Sequence, residues 1–177
     1  NEGCGVNCGQ VRIYEWDGYV WTQIGQDIEG ESAGDASGIS VSLSSDGNIV
    51  AIGANGNDGN GSNAGHVRVL HYNGNLWLQL GQDIDGEDMY DAVSGISVSL
   101  SNNGDILAIG ATGNDDNGSN SGHVRIFNYD GTSWVQLGQD IDGETAGDQS
   151  GYSVSFSNDG NIVAIGAPYN DGNSGNS

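Results

Sequence analysis

The chain has 177 residues, room for one or two ordinary domains, and carries 24 Asp and Glu against 3 Lys and Arg, a formal net charge of −21. That balance excludes nucleic acid and anionic membrane surfaces as partners, because a phosphate surface must be met by Lys and Arg; it favours cations instead. The acids are spread between apolar runs, with 32 Gly and one Pro. This reads as an acidic folded domain rather than a disordered tail, and no stretch approaches the ~18 apolar residues of a membrane span.

In chain order, the first feature is a loop holding Cys4 and Cys8, the chain's two cysteines. In an oxidising compartment they are expected to close a small local disulfide, pairing outside the module being the alternative. A zinc site built on cysteine would need four ligands, and no other Cys exists. A strand with the motif Val-Arg-Ile follows at Arg12, then an Asp17-Gly18 turn and a strand at Trp21. Next comes an acidic connector with Asp27, Glu29, Glu31 and Asp35. A strictly alternating strand succeeds it: Ile39, Val41 and Leu43 interleave with Ser40, Ser42 and Ser44. Period 2 gives one apolar face and one hydroxyl face. Asp46-Gly47 then supplies a tight hairpin turn. The run Ile49–Ala54 is apolar on both faces and is expected to be buried on both. An Asn/Asp/Gly loop over 55–65 leads to the strand His66–Tyr72, the Asn73-Gly74 turn and the strand Leu76–Leu80. No helical periodicity appears.

The same order then recurs. Trp21, Trp77 and Trp134 stand 56 and 57 residues apart, and Arg12, Arg68 and Arg125 are the only cations, one per module in the same slot. The windows are 1–56, 57–113 and 114–177, the last including the start of the next repeat loop. Loop residues stand at both ends, so the chain reads as an excerpt of a longer array. Each module predicts a four-stranded antiparallel sheet. Such a sheet cannot bury both faces alone, and tandem copies solve this by stacking. The expected fold is all-β, with the sheets stacked as blades of a β-propeller, three blades being covered; a linear stack of β-sheets is the alternative. The three tryptophans are expected to pack between blades, and the three arginines to form a repeated ion pair with periodic acids.

Ser37-Gly38-Ile39 through Ile52-Gly53-Ala54, with equivalents at Ser94-Gly95 and Ile109-Gly110-Ala111, and at Ser150-Gly151 and Ile165-Gly166-Ala167-Pro168, resembles the FG-GAP repeats of integrin α-chain-like propellers. The resemblance implies a propeller and an extracellular adhesion or scaffold role. That family often carries a D-x-D-x-D-G calcium loop between its first two strands. Here the place holds only Asp46-Gly47, Asn103-Gly104 and Asp159-Gly160, so that calcium site does not carry over.

The connectors Asp27, Glu29, Glu31, Asp35, then Asp83, Asp85, Glu87, Asp91, then Asp140, Asp142, Glu144, Asp148 place carboxylates two residues apart, which suits Ca²⁺, a hard cation taking 6–8 oxygens. Ca²⁺ is the one cofactor the sequence suggests. Asn60-Gly61-Ser62 and Asn117-Gly118-Ser119 are N-glycosylation sequons at one repeat position. His66 and His123 are equivalent, but Gln10 holds that slot in the first module, so no catalytic histidine with a fixed partner is seen. The functional expectation is an extracellular, cell-surface structural or adhesive repeat, a building block of a surface filament or sheath, and not an enzyme. Its partners would be copies of itself or neighbouring repeats. The alternative is a carbohydrate- or protein-binding propeller, Ca²⁺-dependent, that recognises glycans or surface proteins.

Overall fold

A computed structural model describes residues 4–87 and 93–172. The described residues form sixteen strands and no helix. β1 (Gln10–Val11), β2 (Tyr14–Trp16), β3 (Trp21–Gln23) and β4 (Ile28–Glu29) come first, β1 pairing with β4 and β2 with β3. A sheet follows in which β5 (Ser40–Leu43), β6 (Ile49–Ala54), β7 (His66–Tyr72) and β8 (Trp77–Gln79) pair in sequence order, with β9 (Ile84–Asp85) added to β7. It repeats as β10 (Ser94–Leu100), β11 (Ile106–Ala111), β12 (His123–Tyr129) and β13 (Trp134–Gln136), with β14 (Ile141–Asp142) on β12. β15 (Ser153–Phe156) and β16 (Val163–Gly166) form a further hairpin. All these ladders are antiparallel.

The full sheets therefore have five strands, one more than the sequence predicts. β7 has seven residues and β8 only three, so half of the β7 edge would keep its N–H and C=O groups without partners. Ile84 and Asp85, in the connector, fill that half by pairing with Val67 and His66. The sheets also straddle the sequence windows. The repeated Asn/Gly loop joins β6 to β7, so the boundary at 56/57 falls inside a sheet.

The β5–β9 sheet is covered on both faces. Val50, Ile52, Leu70 and Trp77 pack on Val11, Ile13 and Ile28 of the preceding strands. Ala51, Val67, Val69 and Ile84, on the opposite face, pack on Val98, Leu100, Leu107, Ile109, Phe127 and Trp134 of the following sheet. This explains the continuous apolar run of β6, whose Val50, Ala51 and Ile52 are all buried. The serines of the alternating strand bond to the next sheet. Ser40 Oγ donates to the Gly95 carbonyl (2.8 Å), and the Leu100 N–H donates to Ser42 Oγ (3.0 Å). Ser97 Oγ and Ser99 Oγ repeat both bonds with Gly151 (2.7 Å) and Phe156 (3.0 Å). The hydroxyl face is thus a seam, and the sheets stack in tandem as propeller blades do.

Tryptophan closes the outer part of each seam. Trp77 Nε1 donates to the Ile24 carbonyl (3.1 Å), and Trp134 Nε1 to the Leu80 carbonyl (2.8 Å). Gln26 and Gln82 bracket the backbones of these tryptophans with paired hydrogen bonds. Gly25 permits the approach, since a Cβ there would lie 2.5 Å from Trp77 Cδ1. Trp21 departs from the expectation of inter-blade packing. It is 63% exposed and stacks only on Trp16 (centroids 5.4 Å apart). Among the described residues no connector lies against it as Ile24 lies against Trp77.

Candidate functional site at the seams

Where two sheets meet, the connector of one module lies against the start of β7 or β12 in the next. β7 places His66 and Arg68 on one face, two residues apart. Both are buried, at 2% and 9% exposure. Arg68 Nη2 donates to the Glu29 carbonyl (2.6 Å), and its Nη1 lies 3.5 Å from Glu31 Oε1. Arg125 repeats this with the Asp85 carbonyl (2.8 Å) and Glu87 Oε1 (3.6 Å). The cation and its partner thus sit in different modules. Arg12 departs from the repeated ion pair: it is exposed, and among the described residues no connector lies beside it as Glu29 lies beside Arg68.

The connector acids do not act as one linear set. Glu31 meets Asp83 and His66 of the next module, with one donor atom of each within 4.8 Å of the others. Glu87 meets Asp116, His123 and Asp140 in the same way. Asp83 and Glu87, four residues apart in one connector, therefore serve successive seams. The Asp carboxylates are oriented by glutamine. Gln79 Nε2 donates to Asp83 Oδ1 (2.6 Å), and Gln136 Nε2 donates to Asp140 Oδ1. Asp140 Oδ2 then lies 3.8 Å from His123 Nδ1. In the first module, Asp27 accepts from both Gln10 (2.7 Å) and Gln23 (2.6 Å). A cleft of about 490 Å³ opens at the seam, lined by Glu31, Asp35, Asn57, His66, Asp83 and Asp85 among others.

The remaining acids have local work. Asp35 accepts from the N–H groups of Glu31 (3.1 Å) and Ser32 (2.8 Å), closing the connector turn. Asp148 does the same for Thr145 (2.9 Å). Glu29, Asp85 and Asp142 stand in the short connector strands, opposite Gln10, His66 and His123. Glu144 accepts from Asn170 Nδ2 (3.3 Å). Asp91 lies outside the described residues.

Cys4 and Cys8 are joined as a disulfide within the first loop. Asn60 and Asn117 are exposed, but their amide nitrogens donate to connector carbonyls. Asn60 reaches Gly86 and Glu87 (both 2.7 Å), and Asn117 reaches Gly143 (2.9 Å). Asp46, at the place of the family's calcium loop, accepts from Ser44 Oγ (2.6 Å) and from Asn48. These bonds, Ser44 first, hold its carboxyl down to about 2. Asp159 is likewise lowered to about 2 by Ser157 and Asn161. Both carboxylates serve their turns.

Residues 29–70 and 85–127 match the FG-GAP repeat. The chain carries two FG-GAP repeats. Each FG-GAP match begins at the connector strand of one module and runs into the third strand of the next sheet, so it contains a complete seam contact: Glu29 with Arg68, and Asp85 with Arg125. FG-GAP repeats are extracellular repeat and binding modules. A comparison with curated proteins gave no significant match. Among the described residues of this FG-GAP chain, no helix is long and apolar enough to cross a membrane. Sequence reasoning missed His66, His123 and Asp116 as members of the seam cluster. The available signal was His66 and His123 at strand starts, each one module after an acidic connector.

Proposed function

We propose that this FG-GAP chain is an extracellular structural or adhesive repeat whose sheets stack into a rigid unit, a building block of a surface filament or sheath. One observation carries the reading: successive seams use the same contacts in the same order, with Trp77 and Trp134 at 2% and 4% exposure. A surface that binds its own copy at every repeat suits assembly. The cell surface is the place where such an assembly would act, with neighbouring repeats or further copies as its partners.

Electron microscopy of the native, full-length material tests this. Extended filaments or sheets with a regular axial repeat are the expected result. Isolated discs, together with hits on a glycan array, would overturn it in favour of a carbohydrate-binding propeller.

A further inference from the structure

We propose that each of the two seams bearing a buried arginine binds a divalent transition-metal ion of the zinc class, held by the histidine of one module and by carboxylates from both. The donor set is imidazole with carboxylate, which suits zinc-class ions, whereas Ca²⁺ takes oxygen alone. At the second seam Glu87, Asp116, His123 and Asp140 bring four donor atoms within 4.8 Å of one another, and at the first Glu31, His66 and Asp83 bring three.

The second observation is His66 itself. Its ring is 2% exposed, and its buried Nε2 has no hydrogen-bond partner. A buried imidazole nitrogen left this way forfeits its hydration without compensation, and the ring that carries it offers one of its nitrogens to the Glu31 and Asp83 carboxylates. His66 lines the seam cleft beside Glu31 and Asp83. The aspartates are held in place by Gln79 and Gln136, the outer-sphere support that metal-binding carboxylates use. The glutamate side chains, 43% and 46% exposed, each contribute one carboxylate oxygen to their cluster.

Charge ranks the two sites. With neutral imidazole, Glu31, Asp83 and Arg68 sum to −1, whereas Glu87, Asp116, Asp140 and Arg125 sum to −2, the charge a dication neutralises. The difference is one residue: Gly59 stands where the next module has Asp116. The second seam is therefore the tighter site.

Calorimetric titration of the folded chain with zinc chloride is expected to show two sites, the second at least tenfold tighter. Gly59→Asp should tighten the weaker site about tenfold. His123→Gln should remove the tight site and His66→Gln the weak one; glutamine already occupies this slot as Gln10, so the fold tolerates it. Histidine ring resonances give a readout in the unmodified protein: those of His66 and His123 should move on zinc addition, while those of exposed His71 should not. Zinc heats unchanged by both substitutions, movement of His71 alone, or equal displacement by equimolar Ca²⁺ would each overturn the proposal.

Discussion

Gly53 carries no side chain because the next sheet leaves no room for one. A Cβ there would fall on the Gly95 carbonyl oxygen, and one on Gly110 would fall on the Gly151 carbonyl. Both obstacles are backbone, so they cannot swing aside. Gly53→Ala should therefore cost about 3 kcal/mol of stability, the upper range of core overpacking; a urea midpoint within error of the parent would show that the seam is looser than described. Aspartate governs the turns between the first two strands. Asp46 and Asp159 have folded pKa values of about 2, against an ordinary 3.8. Because these values are depressed, the contribution is present above pH ~4 and is lost as pH falls through 4 towards 2. Replacing both with Asn should flatten the fall in melting temperature across that window. The second module already uses Asn103 there, with Ser101 Oγ donating to it (2.8 Å). An acid limb as steep as the parent's would assign the pH dependence to other carboxylates.

At the scale of the element, each tryptophan acts through the connector it covers. Trp134→Ala removes a buried ring and its bond to Leu80, and should cost about 3–5 kcal/mol. Trp21→Ala, at an exposed position, should change stability by no more than about 0.5 kcal/mol. Denaturant unfolding of the two variants side by side checks both, and equal losses would show that the hairpin, not the seam, needs the ring. The elements with strong periodicity were legible in the sequence: the alternation of β5 and the two-sided apolar run of β6 translate directly into faces. β9 and β14 were not legible, since an Ile-Asp pair has no period; only the short reach of β8 and β13 makes those strands necessary. The seam cluster of histidine and acids was hidden for a different reason. Glu31 and Asp83 are 52 residues apart, and each looks like one more acid in its own connector. Only the stacking of one sheet on the next joins them. The burial of Trp77 and the exposure of Trp21 likewise depend on a neighbour that the local motif does not encode.

At the scale of the whole molecule, stability is a sum over seams, because each sheet touches mainly its sequence neighbours. Two long-range electrostatic effects then oppose each other. Seam ion pairs such as Arg68–Glu31 favour stacking, and salt would weaken them. The net charge of −21 opposes stacking, and salt would relieve it. Magnitude decides between them. The ion pairs are 3.5–3.6 Å long and end on glutamates nearly half exposed, so each contributes at most about 1 kcal/mol. The repulsion involves 24 acids against 3 cations, and at about 0.01 M salt the screening length of ~30 Å lets many of them interact. Raising sodium chloride to about 0.15 M shortens that length to ~8 Å. The melting temperature should therefore rise by several degrees over this range, followed by the tryptophan signal of the buried seams. A melting temperature that falls with salt would mean that the arginine pairs, not the apolar seams and the relief of repulsion, hold the sheets together.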